Sequence, residues 1–129
     1  MVFRTKGELE AAIGNAVMKF EREYFGRGPK ELHTYVLRDM VIIRQNGILT
    51  PAEEQVRENP ESVDLIQRLR ETLLKNNQDV LSAIFQKLTG AAVLGVYTDL
   101  SVKHSEKFMV FTFDRDLEAP FRRTSRRSS

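Results

Sequence analysis

A glycine-rich stop separates a helix from a strand near the start of this chain. The run Gly26-Arg27-Gly28-Pro29 follows an amphipathic stretch and precedes a run rich in β-branched and aromatic residues. Gly26 is suited to end a helix in a left-handed cap, and Pro29 cannot continue one. The stop therefore predicts a helix over residues 6–24 and a strand directly after the loop.

The periodicity on either side of this stop agrees with that prediction. One apolar stripe at helical spacing precedes it, formed by Leu9, Ile13, Ala16, Val17, Phe20 and Tyr24. Two β-type runs, Leu32–Leu37 and Met40–Gln45, follow it. Because only Arg38-Asp39 lies between the two runs, we predict a hairpin with a tight turn.

The second half of the chain repeats helices and then strands. Thr50-Pro51-Ala52-Glu53 predicts a capped short helix, and Asn59 predicts the start of a long helix to Thr89 that bends near residue 76. The strands Ala92–Asp99 and Lys107–Asp114 complete the order α-β-β-α-α-β-β. We predict an α+β two-layer domain with helices packed on a four-stranded, largely antiparallel sheet.

The charge of the chain is concentrated at its end. Four of the 20 basic residues are arginines within the last eight positions. The rest of the chain therefore has 16 basic and 18 acidic residues. We predict one domain over residues 1–117 and a basic, disordered tail over residues 118–129. Because nucleic-acid readers usually carry positive charge on a folded face, this distribution argues against a DNA-binding body.

Composition also limits the compartment. The 129 residues include no cysteine, so no disulfide framework forms. No apolar run approaches the roughly 18–20 residues that span a bilayer, and the first residues lack the apolar core of a secretory signal. We therefore expect no transmembrane segment and a cytoplasmic location.

The glycine-rich loop is the first candidate binding site. Backbone N–H groups of Gly26 and Gly28, together with the guanidinium of Arg27, could hold a phosphate or a carboxylate. Tyr24 and Pro29 flank the loop and belong to the same candidate site. The structural alternative is a plain helix stop, because phosphate loops favour helix N-termini and this loop follows a helix.

Acidic residues at predicted strand ends form the second candidate. Clustered carboxylates could bind a cation or act as an acid–base pair, although turns also recruit aspartate for backbone hydrogen bonds. The residues concerned are Asp39, Asp99, Asp114 and Asp116. We retain Asp39 and Arg115 as ligand- or partner-binding candidates. The two histidines have no partners at metal-ligand spacing, so we predict no metal, no cofactor, no catalytic residue and a non-enzymatic protein.

Several stretches together resemble the MpsC family. They are Thr5–Glu10, Phe20–Pro29, Asp39–Ile42, Gly47–Glu53, Thr98–Ser101 and Val110–Arg115. The resemblance covers Thr5–Leu117, and its most specific parts are Gly26–Pro29 and Leu49–Glu53. The family name implies association with a Na+-translocating, membrane-potential-generating system, whose membrane subunits are similar to ion-pumping antiporters. The resemblance supplies no catalytic residue.

This resemblance implies a soluble accessory or regulatory protein. Its partner would be a membrane ion- or bicarbonate-transport complex, and its place the cytoplasm, peripheral to the inner face of the membrane. We also expect a homo-oligomer, because the strand Lys107–Asp114 is apolar on both faces and needs cover on both. The alternative is a nucleotide- or nucleic-acid-binding regulator that uses Gly26, Arg27 and Gly28, with the basic tail as an electrostatic aid.

Overall fold

The computed structural model describes residues 3–122. Its elements are α1 (Lys6–Phe25), β1 (Glu31–Leu37), β2 (Met40–Asn46), α2 (Pro51–Gln55), α3 (Pro60–Asn76), α4 (Gln78–Thr89), β3 (Val93–Ser101) and β4 (Glu106–Phe113). A helical turn over residues 119–122 follows β4. The predicted α+β class is confirmed. Residues 123–129, which include most of the predicted basic tail, lie outside the described residues.

The four strands form one antiparallel sheet in the order β1-β2-β4-β3. The predicted hairpin is confirmed, because Leu37 pairs with Met40 across the turn. Arg38 takes a positive φ of 54° in this turn. We call the end of the sheet that contains this turn the turn end. The opposite end, where β1 begins at Glu31, is the loop end.

Side chains cap the starts of α1 and α2. The Thr5 hydroxyl accepts from the Glu8 N–H at 3.1 Å, and the Glu8 carboxylate accepts from the Arg4 N–H at 3.1 Å. The capping box of Thr50 and Glu53 is complete in both directions. These hydroxyl and carboxylate groups satisfy N–H groups that a helix start leaves free.

The predicted long helix is two helices, α3 and α4, which meet at Asn77. Asn77 stops α3 and precedes α4. The apolar residues Leu69 and Val80 lie off the buried face of these helices, because they are 58% and 38% exposed. The buried residues are Ile66, Arg70 and Leu74 in α3, and Leu81, Phe85 and Thr89 in α4.

The core lies between the helices and one face of the sheet. Alternate residues of the central strands point into it: Val41, Ile43 and Gln45 from β2, and Lys107, Met109, Phe111 and Phe113 from β4. Phe85 packs on Phe111 with 4.1 Å between ring centroids. Among the described residues, the helices that contact the sheet pack on this face, and we call the other surface the open face.

The segment after β4 returns across the turn end towards the helices. Leu117 is fully buried, and its N–H donates to the Arg38 carbonyl at 2.7 Å. The Glu118 carboxylate accepts from the Arg38 N–H at 2.6 Å and from the Lys6 ammonium at 3.1 Å. Phe121 packs against the core cluster. These contacts lie beyond residue 117, and the domain boundary predicted there stays a prediction.

Candidate functional site

The glycine-rich loop is held close to the C-terminal part of α1. Gly26 takes the left-handed conformation with a φ of 85°, as the sequence predicted. A Cβ on Gly28 would lie 2.4 Å from the Met18 sulfur, so this position keeps the loop close to the helix. Pro29 is buried, and Tyr24 packs on Phe20 with 4.7 Å between ring centroids.

Arg27 joins this loop to the segment before α2. Its Nη1 donates to the Leu49 carbonyl at 3.2 Å, and its Nε lies 3.5 Å from the Gly28 carbonyl. The guanidinium has five donors, so three are left for another acceptor. The negative end of the α1 dipole nevertheless opposes an anion here. The geometry therefore favours a connecting role over an anion cradle.

Two cations lie over the ring of Phe25 at the end of α1. The Lys107 ammonium is 4.5 Å from the ring centroid, and the Arg70 guanidinium carbon is 5.4 Å from it. Both distances are within the range of cation–π attraction, which is stronger where water is excluded. The ring of Phe25 thus attracts two buried positive charges.

Lys107 forms a buried ion pair with Glu21. Their charged atoms are 2.6 Å apart, and the side chains are 5% and 3% exposed. Gln45 donates to the same carboxylate at 3.0 Å, while its own Oε1 is buried and without a hydrogen bond. Burial lowers the pKa of Lys107, the Glu21 carboxylate acts in the opposite direction, and the charge of Arg70 lowers the pKa further.

Arg70 forms a second pair with Glu53 in bidentate geometry. Its Nε and Nη2 donate to the two carboxylate oxygens at 3.1 and 2.7 Å, and Nη2 also donates to the Ile48 carbonyl at 3.0 Å. Burial raises the pKa of Glu53, but hydrogen bonds from Arg70 and Thr50 outweigh burial and hold the pKa below 4.5. This pair ties α3 to the start of α2.

Sequence reasoning missed this network because it treated charge as a sign of exposure. Glu21 is not part of the apolar stripe predicted for α1, yet it is only 2% exposed. The available signal was position: Glu21 follows Val17 by four residues, and Arg70 lies four residues from both Ile66 and Leu74. In β4, Lys107 shares the inward period of two with the core residues Met109, Phe111 and Phe113.

Asp39 and Arg115 lie at the turn end, in a separate open groove of about 410 Å³. Since β1 has seven residues, roughly 20 Å of strand separates this groove from the glycine-rich loop. The structure therefore divides the predicted site residues into two groups. Tyr24, Gly26, Arg27, Gly28 and Pro29 form one, and Asp39 and Arg115 form the other.

The strand-end aspartates form hydrogen bonds within the protein. Asp114 accepts from the Ala92 N–H at 3.0 Å and lies 3.5 Å from the Arg115 Nε. Asp116 accepts from Arg122, and this hydrogen bond is the main cause of its lowered pKa. Asp99 lies away from this groove, on β3 opposite Phe108.

Within residues 3–122, no three histidine or acidic side chains are grouped so that they could hold a metal ion. No helix in that part of the chain is both long and apolar enough to cross a membrane.

Comparisons with known proteins extend the sequence resemblance. The family model described as Na+-translocating membrane potential-generating system (MpsC) matches residues 5–115. The Uncharacterized protein YbcI of Bacillus subtilis (strain 168) is 38% identical over 115 residues, which cover 89% of this chain and 93% of that protein. The Uncharacterized protein YrhF of the same strain is 26% identical over 110 residues, covering 82% and 88%. No solved structure matches the chain.

Proposed function

This chain belongs to the MpsC family, and from that premise we propose that it is a non-enzymatic accessory or regulatory protein of a membrane ion- or bicarbonate-transport system. In this proposal the protein is soluble and cytoplasmic and binds the inner face of the membrane through subunits of that system. The description of the matching family names a membrane-potential-generating system, and this description supports the choice of partner.

The observation that carries the proposal is the contact between Arg27 and Leu49. The hydrogen bond at 3.2 Å joins the runs Gly26–Pro29 and Leu49–Glu53, which carry the most specific part of the family resemblance. Glu53 of the second run pairs with the buried Arg70, and Arg70 and Lys107 both contact the ring of Phe25, which precedes the first run. Because a buried network fixes one arrangement of the groups above it, the two runs can form one rigid docking surface.

The proposal assigns Tyr24, Gly26, Arg27, Gly28 and Pro29 to this docking surface. Asp39 and Arg115 form a second, independent contact in the groove at the turn end. The proposal also includes self-association, whose surface is treated in the next subsection.

Affinity capture tests the proposal. The tagged full-length chain is mixed with detergent-solubilised membranes of its own host, and retained proteins are identified by mass spectrometry. We expect the wild type to retain membrane transport subunits and Arg27→Ala to lose them. The matched control is Arg68→Ala, whose side chain is 73% exposed on α3, and it should retain the subunits. Circular dichroism of each variant verifies that it is folded.

Two outcomes contradict the proposal. If the wild type retains no transport subunit, the family context does not extend to this chain. Retention of nucleic acid, detected by ultraviolet absorbance, together with its loss in Arg27→Ala and at high salt, would support the nucleotide- or nucleic-acid-binding alternative instead.

A further inference from the structure

The open face carries an apolar row that crosses all four strands. Tyr35 pairs with Ile42, Ile42 with Val110, and Val110 with Tyr97. The two tyrosines at the ends of the row are 51% and 62% exposed. Gly95 leaves space for the Tyr97 ring, because a Cβ there would lie 2.9 Å from it. A continuous apolar surface of this kind marks an interaction site on a folded protein.

The next row towards the loop end carries a histidine at one end and a carboxylate at the other. In sheet order it contains His33, Arg44, Phe108 and Asp99. The Arg44 guanidinium lies 5.5 Å from the Phe108 ring centroid, and Phe108 is 39% exposed. The same guanidinium binds the Glu106 carboxylate of β4 at 2.8 Å, so its charge is already paired within the chain. His33 on β1 and Asp99 on β3 are the two ends of this row.

We propose that a second copy of this chain covers the open face, with a two-fold axis parallel to the strands. This axis places β1 over the partner's β3 and β2 over the partner's β4. It also places His33 opposite the partner's Asp99, and the apolar row packs on its own copy. The face is thus self-complementary, as an interface between identical surfaces requires.

The size of the face limits the strength of the dimer. Four strands about 4.8 Å apart and seven residues of about 3.3 Å each outline roughly 19 by 23 Å, or about 440 Å². Projecting side chains make the accessible area larger than this outline. A standard stable interface removes about 800 Å² from each partner, so a face of this size corresponds to a weak, transient dimer. We therefore expect a dimer that dissociates on dilution.

Pairing between sheet edges is the competing arrangement, and both edges are blunted. Glu10 accepts from the Val36 N–H of β1 at 2.8 Å, so its carboxylate occupies part of that edge. A register shift between Val93 and Gly95 interrupts β3. Covered and bulged edges oppose strand addition. Self-association is therefore directed to the open face.

Sedimentation equilibrium of the purified full-length chain tests this inference, which rests on the self-association included in the proposed function. The mass should rise from 14.9 kDa to twice that value with concentration. Tyr35→Lys and Tyr97→Lys should each raise the dissociation constant at least about tenfold, because a lysine would be buried without a partner. Leu65→Lys on α3, equally exposed at 63%, should leave it unchanged.

Cross-linking tests the same face with milder changes. Because the chain has no cysteine, Tyr35→Cys and Tyr97→Cys proteins each carry one reactive thiol. Packed sheets lie about 10 Å apart, too far for a direct disulfide, so a short bismaleimide is used. We expect an equal mixture of the two proteins to cross-link faster than either alone.

Three results would overturn the inference. These are a mass of 14.9 kDa at every concentration, a dimer weakened by Leu65→Lys but not by the tyrosine variants, and cross-linking no faster in the mixture. The purified protein contains no transport subunit, so a monomeric mass would leave the proposed docking function standing. Loss of docking would likewise leave the dimer standing.

Discussion

At the scale of single residues, breaking the buried pair of Lys107 and Glu21 should lower the free energy of unfolding. Lys107→Met leaves a buried carboxylate with only the Gln45 amide as its donor. Breaking one partner of a buried pair costs about 3–5 kcal/mol, so urea unfolding should show a loss of that size. Replacing both residues, as in Glu21→Met with Lys107→Met, should recover most of it.

The control for this pair lies on the same helix. Lys19 and Glu23 are 4.0 Å apart and 74% and 54% exposed. Lys19→Met should change the free energy of unfolding by less than about 1 kcal/mol, because exposed pairs contribute little. If Lys107→Met were as mild as Lys19→Met, the buried network would not be what fixes this end of the fold.

Gly26 gives a second prediction at this scale. Its φ is 85°, and a Cβ added there would meet no other atom within 4 Å, so the cost of Gly26→Ala is purely conformational. We expect a loss of about 1–2 kcal/mol in thermal or urea unfolding. Gly7→Ala, at the start of α1, needs no left-handed backbone and should cause no loss. Equal effects of the two substitutions would contradict this explanation.

At the scale of elements, sequence patterns predicted most boundaries. Glycine stops, capping residues and alternation act within a few residues, so α1, the hairpin at Arg38-Asp39 and the start of α2 were predictable. The buried side of α3 was not, because Arg70 becomes buried only through Glu53, 17 residues away. A guanidinium at an inward position is stable only with such a partner, and a local pattern does not show it.

The segment after β4 carries a prediction at the element scale. Deleting residues 118–129 removes the Glu118 bonds to Arg38 and Lys6 and the packing of Phe121. We expect a loss of about 2 kcal/mol in urea unfolding, because hydrogen bonds to charged groups contribute about 1.5–3 kcal/mol. Deleting only residues 123–129 keeps those contacts and should leave stability unchanged. Equal stability of the two truncations would confirm the boundary predicted at residue 117.

At the scale of the whole molecule, the loss of unfolding free energy at acidic pH should depend in part on Glu53. Its pKa in the folded protein lies below the usual 4.5, so its stabilising effect is complete above pH 4.5 and is lost as the pH falls further. The difference in unfolding free energy between wild type and Glu53→Gln should therefore shrink below pH 4.5. Urea titrations across this range test it, with the exposed Glu58→Gln as control. A difference that does not change with pH would contradict the assignment.

The candidate site was only partly predictable at the same scale. Local sequence identified the glycine-rich loop, but the distance between Arg27 and Arg115 depends on the direction of β1, which carries the chain to the other end of the sheet. The contact of Arg27 with Leu49 depends on the packing of distant segments. Chemistry was readable from residue types, whereas the grouping of those residues required the fold.

The tyrosines of the open face have a spectroscopic consequence. The chain contains three tyrosines and no tryptophan, so tyrosines dominate its near-ultraviolet emission. Tyr35 and Tyr97 lie on the open face, and only Tyr24 lies elsewhere. Any molecule that covers this face changes the surroundings of two of the three emitters. The unlabelled protein therefore reports the occupancy of its own sheet by fluorescence.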